Sequence, residues 1–192
     1  MVNRNWDILI IGGASGSGKT SISRPLTRHY GIDLVRVDDF QVLLEAMTTS
    51  ETIPALHYWT KNPNWRSEGV RNAVDKMIDI GRALIPGLAA VINDHISENI
   101  PMILEGDFIL PEFVASMRNE RIKSVFIHEQ SKEQIMQNYF QREGKQQTFR
   151  AEVSHTYGNW LAGECDIHDI PVLQSRPWDS LLERAFSAID AM

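Results

Sequence analysis

Cysteine is nearly absent: Cys165 stands alone in 192 residues, so no internal disulfide and no CxxC metal pair can hold this fold together. Positive charge is also short. Nineteen Lys and Arg face twenty-five Asp and Glu, a formal charge of -6, and such a field repels polyanions; nucleic acid is not an expected partner. No long apolar run occurs. The run Ile8 to Ile11 stops at glycines, too short for a secretory leader or a bilayer span, which predicts a cytoplasmic protein with no membrane partner. The six histidines, His29, His57, His95, His128, His155 and His168, lack the spacing of metal ligands. There is no internal repeat and no low-complexity stretch.

What is present suits one folded domain over residues 1–192. Hydrophobic residues at 43% and charged residues at 23% are ordinary for a globular chain, and this length supports a single core. Four apolar runs, Ile8 to Ile11, Leu34 to Val37, Met102 to Leu104 and Ile122 to Ile127, with a weaker fifth at Ile170 to Leu173, read as strands buried on both faces. Helical patterns lie between them. Thr20 to Tyr30 precedes a C-terminal Gly31, with Pro25 inside it. Val70, Val74, Met77, Ile78, Leu84 and Leu88 mark one long helix, or two hinged at Pro86. Ser131 and Gln134 form a capping box for Ser131 to Arg142, and Leu181 to Ile189 closes the chain. This alternation predicts an α/β fold of three layers, a parallel sheet with helices on both faces. Two segments, about 48–67 and about 142–152, fit no layer and are candidates for a substrate-binding insertion and a lid.

GASGSGKT, residues Gly13, Ala14, Ser15, Gly16, Ser17, Gly18, Lys19 and Thr20, satisfies G-x-x-x-x-G-K-[ST] between a strand and a helix. Glycines let backbone N–H groups close on phosphate oxygens, and the helix start adds its positive end. Lys19 can reach the β- and γ-phosphates, and the Thr20 hydroxyl can ligate magnesium. The expected ligands are ATP and Mg2+. A dinucleotide-binding loop would require no lysine followed by threonine here.

Two further strands end in acids. Asp38 and Asp39 follow the second run, and Glu105 and Asp107 follow the third; in a parallel sheet those ends share one crevice. Asp38 or Asp39 could accept the proton of an attacking hydroxyl, although an acid there can also serve as a helix N-cap. Glu105 could orient magnesium, and Asp107 could contact substrate.

GASGSGKT, VDDF at 37–40 and ILEGDFIL at 103–110 together resemble the P-loop small-molecule kinases related to nicotinamide riboside kinases, uridine kinases and, more loosely, 2-phosphoglycerate kinases. The likeness covers about the first 110 residues. It implies a five-stranded parallel sheet with an arginine-bearing lid, Asp38 as base and Glu105 beside the metal. Past Phe40 the sequence departs from the riboside kinases, because Gln41 to Thr52 lacks their proline-containing stretch, so acceptor identity does not carry over.

Arg142, Lys145 and Arg150 lie where such a lid would close and spread charge over the γ-phosphate. Arg176, in Ser175 to Trp178, matches by resemblance the loop that packs on adenine. Tyr58, Lys61 and Arg66, within His57 to Arg66, combine aromatic surface with cations as a pocket for a small polar acceptor does. The expected activity is transfer of the ATP γ-phosphate to the hydroxyl of a nucleoside-like, sugar-like or glycerate-like molecule, with Lys19, Asp38 and Arg142 catalytic. A nucleotide monophosphate kinase, whose acceptor needs no base, and a non-catalytic ATP-dependent switch are the competing readings. The residues leave monomer and homodimer both open.

Overall fold

In the computed structural model, which describes residues 4–192, five strands alternate with helices. The strands are β1 (Ile8–Gly12), β2 (Asp33–Arg36), β3 (Met102–Gly106), β4 (Ile122–His128) and β5 (Val172–Gln174). They lie in the order β2-β3-β1-β4-β5, and every neighbouring pair is parallel. The central strand β1 is paired on both sides and fully buried. Its side chains alternate between two cores, as the period of a strand requires. Ile8 and Ile10 join Leu84, Leu88, Leu104 and Tyr157 on one face, while Leu9 and Ile11 join Ile22, Leu26, Leu181 and Ile189 on the other.

The second face is covered by α1 (Lys19–Tyr30) and the C-terminal α8 (Leu181–Ala191). The first carries α4 (Gly69–Glu98), α5 (Pro111–Ser116) and α7 (Thr148–Ile167); α2 (Val37–Met47), the short α3 (Tyr58–Lys61) and α6 (Lys132–Glu143) complete the set. The three-layer α/β architecture follows. Among the described residues no helix is long and apolar enough to cross a membrane.

Several boundaries differ from the sequence pattern. The second strand ends at Arg36, and Val37 already opens α2, so Asp38 and Asp39 sit in a helical first turn; Arg36 takes the N-cap position, and neither aspartate does. The fifth strand is displaced to Val172–Gln174. No break occurs at Pro86: α4 runs unbroken for 30 residues. Ile78 and Leu84 before the proline and Leu88 and Ile92 after it are buried in one core, and this continuous packing holds the helix through the lost hydrogen bond. The 48–67 segment contains α3 and a 3-10 turn at Trp65–Glu68. The expected polar connection shrinks to four residues, Gly144 to Gln147, between α6 and α7. Half of the capping box forms. Ser131 Oγ accepts from the Gln134 backbone N–H at 3.1 Å, whereas the Ser131 N–H donates to Glu129 Oε1 at 3.0 Å. Cys165 is buried, which pushes its thiol up to about 12, the behaviour of a small core residue.

Candidate active site

The loop leaving β1 turns through Gly13, Gly16 and Gly18, with φ of 138°, 80° and 102°. A side chain is excluded at two of them by space as well as by φ. A Cβ on Gly13 would run into the Ile127 carbonyl oxygen, and one on Gly18 into the Trp178 ring. Gly18 caps α1 without a side-chain hydrogen bond, and the first turn holds no acid, which leaves the helix's N-terminal amides available to an anion.

Lys19 is only 6% exposed. Its Nζ donates to the Ala14 carbonyl at 2.9 Å and to Asp107 Oδ1 at 2.5 Å. The next residue, Thr20, donates its hydroxyl to Glu105 Oε1 at 2.6 Å, and Ser23, one turn further along α1, donates to Oε2. Glu105 is 7% exposed; β3 lies beside β1 in a register that pairs Gly106 with Gly12, and this alignment carries its carboxylate to the start of α1. Asp38 reaches the same place from α2. Burial, and next the Asp107 charge, push its carboxyl above the ordinary range, with Arg36 and Lys19 opposing. Arg36 Nη2 lies 3.0 Å from Asp38 Oδ2, and Nη1 lies 3.6 Å from Asp39 Oδ1. Asp39 is 72% exposed and lines neither of the two clefts that meet at the phosphate loop. Of the two aspartates, Asp38 faces the site.

A cleft of about 990 Å3 opens over this loop, walled by Lys19, Thr20, Asp38, Glu105, Arg142 and Arg176 among others. A second, of about 630 Å3, has aromatic walls, Trp59, Trp65, Phe108 and Phe149, with Arg66 and Arg150 as its cations. Ser15 and Asp107 line both. The two clefts therefore meet at the phosphate loop.

The arginines expected in a lid divide between the two clefts: Arg142 lines the first and Arg150 the second. Both grip Glu143, at 2.6 and 2.9 Å, and both lie over the Tyr139 ring, 5.1 and 4.3 Å from its centroid. Arg142, then Gln147 and Arg150, hold the Glu143 carboxyl at about 2. Lys145 lines neither cleft. Arg176 lies 4.8 Å from the Trp178 ring centroid and 3.3 Å from the buried Glu129 carboxylate.

Arg66 lines the aromatic cleft, but Tyr58 and Lys61 line neither. Three residues apart on α3, they share a face that turns away from the cleft. Tyr58 donates to Glu68 at 2.6 Å and accepts from Asn72 at 2.8 Å, and Lys61 points to solvent. Four supporting residues escaped the sequence reading. Ser23 steadies Glu105, Glu129 anchors Ser175 and Arg176, Tyr157 donates its hydroxyl to the Asp107 carbonyl at 3.0 Å, and Asn138 donates to the Gly16 carbonyl at 2.9 Å. Only Ser23 had a signal, four residues after Lys19 and one turn along the same helix.

No family model matches the chain. A 2-phosphoglycerate kinase of Methanopyrus kandleri is 23% identical over 203 residues, which cover 96% of this chain and 61% of that protein. The chain spans 61% and 60% of the lengths of the curated relatives it matches. Among solved structures, a shikimate kinase from Acinetobacter baumannii superposes with a TM-score of 0.55 at 13% identity, covering 97% of this chain and 94% of that one. A gluconokinase from Sinorhizobium meliloti gives 0.52 at 15% identity, covering 97% and 93%. The fold is that of the P-loop proteins. Within them, the chain resembles the small-molecule kinase superfamily, in sequence over nearly all its length and in structure throughout.

Proposed function

We propose that this protein transfers the γ-phosphate of ATP to a hydroxyl of a small molecule. One observation carries the reading: a phosphate-binding loop, its lysine, and three carboxylates from two other chain segments converge on a cleft that opens into a second one suited to a small ligand. In the first cleft the triphosphate would lie on the amides from Gly13 to Thr20, with Lys19 and Arg142 balancing its charge and Arg176 beside the base. The donors around Thr20 and Glu105, a hydroxyl and a carboxylate, are hard oxygens of the kind magnesium takes. Thr20 would ligate that ion and Glu105 would orient its shell; bound there, it would draw charge from the β- and γ-phosphates. The acceptor would lie in the aromatic cleft. Its hydroxyl oxygen forms the new bond to the γ-phosphorus, the bridging oxygen leaves with the electron pair of the broken bond on ADP, and Asp38 takes the proton. A carboxyl held above its ordinary range is a stronger base than an unperturbed one.

The matched relatives carry the name 2-phosphoglycerate kinase, and Arg66 and Arg150 would suit an acceptor bearing phosphate or carboxylate, so 2-phosphoglycerate heads the candidates. The test is ADP release above a no-acceptor blank with magnesium, ATP and a panel of glycerates, sugars, nucleosides and nucleoside monophosphates. Stimulation that Asp38→Asn abolishes while ATP affinity persists supports the reading. Stimulation by a nucleoside monophosphate that survives Asp38→Asn favours a nucleotide kinase, and bound ATP with no stimulation by any compound favours a switch.

A further inference from the structure

Among the described residues Asp107 is the one charged side chain common to both clefts. Its carboxylate forms a 2.5 Å ion pair with Lys19, the group a phosphate loop needs for its ligand. The two facts conflict if the pair is permanent. Lys19 Nζ already donates to the Ala14 carbonyl, which leaves it one free proton once Asp107 is counted, too few to serve both β- and γ-phosphate oxygens. An arriving triphosphate carries more charge than one carboxylate and brings several oxygens to the same ammonium, so Lys19 must exchange its partner. Its old partner is then an unpaired carboxylate at the junction with the aromatic cleft. The backbone there stays fixed, because Tyr157, fully buried, donates to the Asp107 carbonyl, and β3 is buried along its length. Only the side chain is free to move.

We propose that Asp107 is an exchange partner: it holds Lys19 before nucleotide binds and, once nucleotide phosphate takes that lysine, turns to accept a hydrogen bond from a second donor of the acceptor, whose reacting hydroxyl faces Asp38. Nucleotide binding thereby prepares the second cleft, and the acceptor follows the nucleotide. Asp38 takes no part in this exchange, because the cation that it hydrogen-bonds is Arg36 and not Lys19. The inference rests on the reading of the two clefts as donor and acceptor sites.

Calorimetry of the full chain with the non-hydrolysable analogue AMP-PNP and with inorganic tripolyphosphate, in EDTA so that only amides and cations bind, tests the exchange. Asp107→Asn removes the competitor for Lys19 and should tighten both ligands by at least about fivefold, the upper range for an exposed ion pair, because this pair is only 6% and 22% exposed. Asp38→Asn, which removes one charge from the same cleft, should change them less than twofold. Asp107→Ser is the parallel variant should the amide disturb the turn. A crystal of the wild type with AMP-PNP should have the Asp107 carboxylate out of hydrogen-bond range of Lys19. Unchanged or weaker binding by both Asp107 variants, or an intact Lys19–Asp107 contact beside bound phosphates, overturns the proposal. If the wild type binds neither ligand, the kinase reading falls with it; if it binds both and Asp107→Asn binds no tighter, the exchange alone fails.

Discussion

Gly106→Ala is the most severe single-methyl test of how this site is assembled. Gly106 ends β3, between Glu105 and Asp107, and an added Cβ would overlap Val37 Cβ and lie 2.8 and 3.3 Å from its two methyls. The obstacle cannot rotate away, since a Cβ is fixed to its backbone. Val37 is 0% exposed and is the first residue of α2, directly before Asp38. Relief must come from a shift of the start of α2. Overpacking of this kind costs about 1–3 kcal/mol, so a central loss near 2 kcal/mol should lower Tm by about 4–8 °C in a chain of this size. The same shift carries Asp38 with it, and a misplacement near 1 Å costs about a hundredfold in turnover. Gly87→Ala is the matched control. Gly87 lies inside α4 with nothing within 4 Å of its new Cβ, so the helix gains about 0.5–1 kcal/mol. Urea melts followed by circular dichroism, with the slope unchanged, measure both. A Gly106→Ala protein as stable as the wild type would refute the claimed contact between the β3 terminus and α2, and with it the account of how Asp38 is placed.

Ser23→Ala removes one of two hydroxyls on Glu105; the magnesium concentration for half-maximal activity should rise while ATP affinity in EDTA stays constant, and an unchanged magnesium titration counts against Glu105 as the ion's orienting group. Glu129→Gln weakens a buried bond to Ser175 at 2.6 Å and a part-buried one to Arg176 at 3.3 Å, and should cost about 1–3 kcal/mol in a urea melt. It should also weaken AMP-PNP but not tripolyphosphate, which has no base for Arg176 to contact; equal loss for both ligands argues against that contact. The raised Asp38 carboxyl makes a signed pH prediction. Its folded pKa lies above the unfolded one, so ionising it opposes folding at neutral pH, and that opposition disappears as pH falls through the folded value to the unfolded value near 4. Asp38→Asn should therefore be slightly more stable than the wild type at pH 7 and equal to it below about pH 4 in melts run across that range.

What could be read in advance followed from local rules. The glycines, Lys19 and Thr20 were legible because one short segment carries the whole requirement, and the parallel sheet followed from apolar runs bounded by turns. Asp38 and Glu105 line one cleft for a topological reason: parallel strands deliver their ends to the same edge. The misjudged points depend on partners distant in sequence. Pro86 left one long helix and two hinged ones both open, because the pattern cannot register that Ile78 and Ile92 are buried in one core. Tyr58 and Lys61 looked like pocket residues because composition ignores helical phase; Trp59 and Arg66, from the same segment, do line the cleft. Glu129 gave no signal, since its meaning lies in Ser175 and Arg176, nearly fifty positions away. The role of Asp107 depends on an even longer contact, 88 positions back to Lys19. A motif names the groups that meet a ligand, whereas the contacts among those groups before the ligand arrives decide in what order the ligands enter. That order is a property of the assembled junction between the two clefts, where Asp107, which the sequence offered as a substrate contact, also meets Lys19.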